Sequence, residues 1–312
     1  MPGDRTDVTP VCGKILVIRG GAIGDFILTL PALSALRKHF PGARLEVLGY
    51  PHIAQLALSG GGVDAVRSIE SRALAGFFAR GGRLDGALQN YFAGFAVIIS
   101  YLYDPDGIFQ SNVASCSNAQ FIAGPHRPDE KEDIHAADVF LKPLERLAIF
   151  DADPVPELST SSHPSIPNQL ALHPGSGSER KNWPEENWMR LIQHLQTATK
   201  FNFLLVGGEA ERERLRRLSA VFRPERLERA ECLPLAELAR RLQACAGFIG
   251  HDSGISHLAV AVGLTALILW GETNETIWRP RGTRVTLLRS TPGLMDLPVE
   301  SVRQSADSLF KT

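Results

Sequence analysis

The chain has 312 residues, 44% of them hydrophobic and 21% charged, with a formal net charge of −1. That length and apolar content suit two globular domains and argue against global disorder. The near-neutral charge argues against a protein held on nucleic acid by phosphate contacts, and no apolar run approaches the ~20 residues of a membrane span.

Residues 1–12 read as a disordered lead, polar and charged in its first ten residues and without the apolar core of a signal peptide. Lys14-Ile15-Leu16-Val17-Ile18 follows as a buried strand and Gly20-Gly21-Ala22-Ile23-Gly24-Asp25 as a turn. Helical spacing then runs from Phe26 to Phe40, where Pro41-Gly42 stops it, and Leu45 to Gly49 is a second strand. Strand, helix, strand implies a parallel pair joined by a right-handed crossover. Further strands are expected at 65–69, 96–100 and 120–123, with a helix from Ile134 to Ile149 closing a first domain of residues 13–150.

Residues 151–168, rich in Pro and Ser, read as a linker. The pattern restarts in a second domain, 169–312. Its expected strands are 169–173, 203–206, 248–250 and 266–269, and its expected helices 185–199, 210–222, 235–244 and 299–309. Each half is thus a doubly wound parallel sheet, and ligands bind at the carboxyl ends of such strands. The four cysteines, Cys12, Cys116, Cys232 and Cys245, are scattered without a Cys-x-x-Cys pair, so neither a zinc site nor a disulfide framework is expected, which fits a cytoplasmic protein.

Three strand ends in the second half carry chemistry. His251-Asp252-Ser253-Gly254-Ile255-Ser256-His257 joins a strand to a helix whose first N–H groups attract phosphate. There Gly254 admits close backbone approach, Ser253 offers a hydroxyl, His257 adds a donor one turn on, and Asp252 can cap the helix or orient a sugar hydroxyl or His257. The loop His173 to Pro184 holds Ser176, Gly177 and Ser178 as phosphate donors and Lys181 as a point charge for a leaving diphosphate. Val206-Gly207-Gly208-Glu209-Ala210-Glu211 is a glycine turn whose carboxylates can accept from ribose hydroxyls. Each has a plainer reading alone, as an N-cap, a solvated lysine or helix-terminal acidity. Together they describe a nucleotide-diphosphate site. In the first half Asp25, after the turn glycines Gly21 and Gly24, is positioned to act as a general base, although it also reads as an N-cap. No Walker A sequence is present.

This order of motifs resembles the ADP-heptose:lipopolysaccharide heptosyltransferases and the wider glycosyltransferase family 9. The resemblance rests on Arg19 to Asp25, Thr29-Leu30-Pro31, His173-Pro174-Gly175 leading to Lys181 and Trp183-Pro184, Gly207-Gly208-Glu209, Asp252 to His257, and Trp278-Arg279-Pro280. It implies a GT-B fold, two Rossmann-like domains facing across a cleft, and inverting sugar transfer from a nucleotide diphosphate, ADP in the family, with no cofactor and no essential metal. It also implies a glycan or glycolipid acceptor at the inner membrane surface. By position, Asp25 looks like the catalytic base. Lys181 looks like the phosphate contact, with Ser176 and Ser178 in the loop before it. Glu211 looks like the ribose ligand with Glu209 as competitor, Leu233 like the adenine contact, and Asp252, Ser253, Gly254 and His257 like the diphosphate turn. Gly20, Gly21 and Ala22 stand where the best-known members carry serines. Arg19, His126, Arg127 and Lys131 are the candidates for acceptor contact. Two alternatives stay open: a non-catalytic nucleotide-sugar-binding protein of this fold, and an NAD-dependent dehydrogenase. The second is opposed by the incomplete glycine motif and by Gly49-Tyr50-Pro51 where an acidic residue would be expected.

Overall fold

A computed structural model describes residues 13–160, 166, 168–290 and 293–310. The lead of residues 1–12 lies outside these, as do 161–165 and 167 of the linker. The first domain holds a parallel sheet of β1 (Lys14–Arg19), β2 (Arg44–Gly49), β3 (Ala65–Ser68), β4 (Val97–Ser100) and β5 (Gln120–Ala123), in the order β3-β2-β1-β4-β5. The second holds β6 (Gln169–His173), β7 (Asn202–Gly207), β8 (Leu227–Glu231), β9 (Gly247–His251), β10 (Ala266–Trp270) and β11 (Val285–Arg289), in the order β11-β10-β9-β6-β7-β8. Helices cover both faces of each sheet, so the central strands are buried, save Lys14 at the start of β1, and their middles read as apolar runs.

In each sheet the strand order reverses beside the first strand, between β1 and β4 and between β6 and β9. The crevice at such a switch point is where doubly wound sheets take ligands. Register brings Ile18 beside Ser100 in one sheet and His173 beside Gly250 in the other. The loops leaving these four strand ends therefore face a common space.

Two expected helices are broken, and proline is the cause of both. The stretch 26–40 is a short helix, Ile23–Ile27, followed by a second, Leu30–His39, with Pro31 in its first turn. Pro31 has no N–H, and its ring would clash with the carbonyl of Ile27 if one helix ran through. The stretch 134–149 is a helix at Ala136–Leu141 that tightens to a 3-10 turn at Lys142–Leu147, where Pro143 sits. Helices at Pro51–Ser59, Gly86–Ala93 and Ile108–Ala114, and the edge strands β8 and β11, are additions to the sequence reading. No helix among the described residues is long and apolar enough to cross a membrane.

The domains touch through two helix pairs, Ile23–Ile27 against Gly254–Ala261 and Pro51–Ser59 against Leu235–Ala244. One cluster of buried apolar side chains runs across this seam, from Ile53 and Ala57 to Leu238 and Leu242. Polar ties reinforce it. Arg281 grips Asp138 with two hydrogen bonds of 2.9 and 2.7 Å, and His135 Nε2 donates to the Arg279 carbonyl at 2.9 Å.

Candidate active site

The first-domain wall is built at the end of β1. Gly21 has a φ of +95°, in the left-handed region that favours glycine. A Cβ there would lie 2.8 Å from Asp25 Oδ2, so the missing side chain leaves room for the carboxylate to fold back. Oδ2 accepts from the Ala22 N–H at 2.9 Å, while Thr29 Oγ1 donates to the Asp25 carbonyl at 2.8 Å. Arg19, the last residue of β1, is buried beneath. It lies 3.7 Å from Asp25 Oδ1 and its guanidinium sits 4.3 Å from the centre of the Phe140 ring.

The second-domain wall comes from the loops after β6 and β9. Lys181 Nζ bonds Asp252 Oδ2 at 2.7 Å, and Thr273 Oγ1 donates to the same oxygen at 2.6 Å. Asp252 is therefore not the helix cap. Ser253 is, its hydroxyl accepting from the Ser256 N–H at 3.3 Å. What comes close to Gly254 is the other domain: a Cβ on it would meet Ile23 Cβ at 2.7 Å and Gly24 N at 3.0 Å. The two strand-to-helix turns, one from each sheet, abut with glycine on both sides.

Between the walls lies a cleft of about 840 Å³, lined by Arg19, Gly21, Gly24 and Asp25 from one domain and Lys181, Asp252, Gly254 and His257 from the other. Tyr50, Glu70, Phe78, Tyr101, Tyr103, His126 and Arg127 extend its first-domain side. A second cavity of about 270 Å³ adjoins it at Gly254 and is lined by His173, Gly177, Gly207, Gly208, Glu211, Leu233 and Ile255 among others. Glu211 Oε2 accepts from the Gly208 N–H at 2.9 Å and Oε1 from the Gly177 N–H at 3.4 Å. Glu209 is not among the lining residues. Its lining thus combines the Glu211 carboxylate with the apolar side chain of Leu233.

Three buried histidines fix these loops. His251 Nε2 accepts from the Trp183 N–H at 3.0 Å and Trp188 Nε1–H at 3.3 Å, and Nδ1 donates to the Gly175 carbonyl at 3.3 Å. Only a neutral ring can accept and donate in this way. Burial pushes His251 down to about 3, with nearby His173 adding to the effect, and burial pushes His257 down to about 4 against the pull of Asp252. His173 is likewise held down by burial. Each folded value lies below the ordinary 6.5, so the unfolded chain binds the extra proton as pH falls. The stability these rings contribute is complete above pH ~6.5 and declines below it, by up to ~1.4 kcal/mol per pH unit for each ring. The melting temperature is expected to fall steadily from pH 6.5 to 5, a window above the ordinary carboxylate range. A flat profile there would contradict this account.

Not every residue singled out in the sequence reaches a cavity. Ser176 turns its hydroxyl to Asn182 Oδ1 at 2.8 Å and the Ser178 carbonyl at 2.9 Å, and neither Ser176 nor Ser178 lines either cavity. Ser253 is occupied as a cap and lies 3.4 Å from His173 Nδ1. Of the acceptor-side candidates, Arg19, His126 and Arg127 line the cleft and Lys131 does not. Sequence reasoning passed over Thr273, Tyr50, Tyr101 and Tyr103. Thr273 follows β10, Tyr50 follows β2, and Tyr101 and Tyr103 follow β4, so the rule that ligands gather at carboxyl strand ends could have found all four. Among the described residues no group of three or more His, Cys, Asp or Glu side chains is placed to hold a metal ion.

Two Rossmann-like sheets facing across a cleft, with a carboxylate on one wall and a cation and helix N-terminus on the other, define a protein of the GT-B class. The model of glycosyltransferase family 9 (heptosyltransferase) matches residues 152–300 of this chain. Lipopolysaccharide heptosyltransferase 1 of Pseudomonas aeruginosa is 34% identical over 134 residues, 42% of this chain and only 33% of that protein's length. Lipopolysaccharide heptosyltransferase 3 of Escherichia coli is 22% identical over 292 residues, 82% of this chain and 83% of that protein. The fold of E. coli heptosyltransferase WaaC, solved with ADP, superposes with a TM-score of 0.74 at 19% identity, covering 95% of this chain and 99% of that one.

Proposed function

We propose that this protein is an inverting, metal-independent heptosyltransferase that takes its sugar from an ADP-linked donor. The acceptor is a glycan or glycolipid of the lipopolysaccharide-core type, met at the cytoplasmic face of the inner membrane. The observation that carries this reading is the opposition of Asp25 to Lys181, Asp252, Gly254 and His257 across one cleft, beside a cavity sized for a nucleoside. The acceptor hydroxyl attacks the anomeric carbon from the first-domain side. A new carbon–oxygen bond forms there as the bond to the diphosphate oxygen breaks. Asp25 takes the hydroxyl proton, and the nucleoside diphosphate leaves toward Lys181 and the N-terminus of helix Gly254–Ala261. A neutral His257 supplies a hydrogen bond without a charge.

A dehydrogenase is less well supported, because β2 ends at Gly49 and is followed by Tyr50 and Pro51, with no acidic residue there for a dinucleotide ribose. The test is thermal stabilisation by ADP, UDP, GDP, CMP and NADH in parallel, since a ligand that binds only the folded chain raises its melting temperature. Stabilisation by ADP is expected, followed by transfer from an ADP-heptose. A response to NADH alone would sink the reading, and a response to another nucleoside diphosphate would replace the donor. Glu211→Ala is expected to weaken ADP binding roughly tenfold to a hundredfold, the worth of hydrogen bonds to a charged group, while Glu209→Ala leaves it unchanged. The opposite ranking in a calorimetric titration would move the ribose contact to Glu209.

A further inference from the structure

Arg19 is a costly residue where it stands. Its side chain is 2% exposed, and taking a guanidinium out of water costs several kcal/mol unless charge and hydrogen bonds replace the lost solvent. Burial lowers its pKa, with Asp25 opposing that shift, yet a guanidinium remains charged. Among the described residues its one acidic partner is Asp25, at 3.7 Å. One arm donates to the His126 carbonyl at 2.9 Å and the other to the Asp25 carbonyl at 3.2 Å, while Nε has no partner among the described residues. Phe140 and Tyr101 pack its flat face, and the Tyr101 hydroxyl is itself spent on the Phe140 carbonyl at 2.6 Å. The guanidinium is thus held by two carbonyls and two aromatic rings, with its Nε unpartnered among the described residues.

The two oxygens of Asp25 are not equivalent. Oδ2 is committed to the Ala22 N–H, whereas Oδ1 has no hydrogen-bond donor among the described residues and is the oxygen nearest Arg19. Across the cleft stand His257 from helix Gly254–Ala261, held neutral by burial, and the Lys181–Asp252 pair, which compensates itself, while Glu70, His126 and Arg127 line the first-domain side. Among the described residues Arg19 is the cation within ion-pair distance of Asp25, at 3.7 Å. Resting on the function proposed above, we propose that Arg19 is the positioning residue of the base: it anchors the Asp25 backbone, holds Oδ1 toward the cleft, and ties both to the acceptor-side wall through His126. A buried cation serves here where a lysine or a neutral donor would not, because only the planar guanidinium reaches both carbonyls and the carboxylate at once.

The test is a double-mutant cycle on the full chain, Arg19→Met, Asp25→Asn and the pair together, with Arg19→Lys as the conservative variant. Arg19→Met is expected to lower kcat about tenfold or more, as misplacing a catalytic group does, with the donor KM nearly unchanged. Arg19→Lys is expected to restore part of that loss. In melting temperature the cycle is expected to be non-additive, the double variant losing less than the two singles summed, because Asp25→Asn strands the buried charge that Arg19→Met removes. A kcat within twofold of wild type, a KM that rises in step with the loss of kcat, or additive melting losses would each overturn the proposal. If wild-type protein shows no transfer from any ADP-sugar, the proposed function fails, while the melting cycle still decides whether Arg19 acts through Asp25.

Discussion

Asp25→Asn is expected to abolish sugar transfer while leaving nucleotide affinity intact. The substitution keeps the volume and the hydrogen bond that Oδ2 accepts from Ala22, so the turn at the end of β1 should hold. What it removes is the basic oxygen, and proton transfer by a placed group is worth roughly a hundred- to ten-thousandfold in rate. On the proposed function, nucleotide binding would draw on other residues, in the cavity lined by Glu211 and Leu233 and on the wall of Lys181 and Gly254. The split is the informative part. A variant that still transfers within tenfold of wild type would remove Asp25 as the base, whatever its position. A variant that loses ADP affinity as well would mean that the turn carries donor contacts, because Gly24 packs against Gly254 and His257 across the seam.

The second-domain site was legible because it is local. Each of its turns is a strand end followed at once by small residues and a helix, a pattern that sequence alone displays, and His257, Gly254, Asp252 and Lys181 all reach the cleft. What could not be read was how side chains are spent. Ser253 caps a helix, Ser176 bonds Asn182, and Asp252 holds Lys181, and each is a choice among partners brought in from other loops. His251 stood in the most conspicuous motif of the chain, yet it is the bracket on which Trp183 and Trp188 hang, a role visible only when three distant segments meet. The first domain was harder for a different reason. Its helices at 51–59, 86–93 and 108–114 are short, and the last begins at Gly107 with a φ of +63°, so no long periodic run marks them. The edge strand β8, Leu-Glu-Arg-Ala-Glu, carries charges where a central strand would be apolar, as edges commonly do.

Lys181→Ala is the second large effect expected, and its emphasis is the reverse of that for Asp25. Lys181 lines the cleft on its second-domain side, with Asp252 as its partner. A diphosphate would compete with Asp252 for the ammonium, and Asp252 would keep the Thr273 hydroxyl at 2.6 Å as it lets go. The Asp252 carboxylate orients the ammonium toward the cleft, which would limit the ordering cost of binding a diphosphate there. Removing it should weaken ADP binding roughly tenfold to a hundredfold and slow transfer by a further hundred- to thousandfold, about the loss seen when one donor to a developing negative charge is deleted. The rate loss should exceed the binding loss, since charge on the leaving diphosphate grows as the sugar bond breaks and only that growing part counts toward catalysis. Equal losses in both would make Lys181 a ground-state binding residue. A variant unchanged in both would take it out of the site and leave the helix N-terminus at Gly254 as the main diphosphate contact. Asp252→Asn separates the two contributions further. It frees Lys181 from its carboxylate, so ADP should bind at least as tightly as to wild type, and weaker binding would show that Asp252 orients the lysine more than it restrains it.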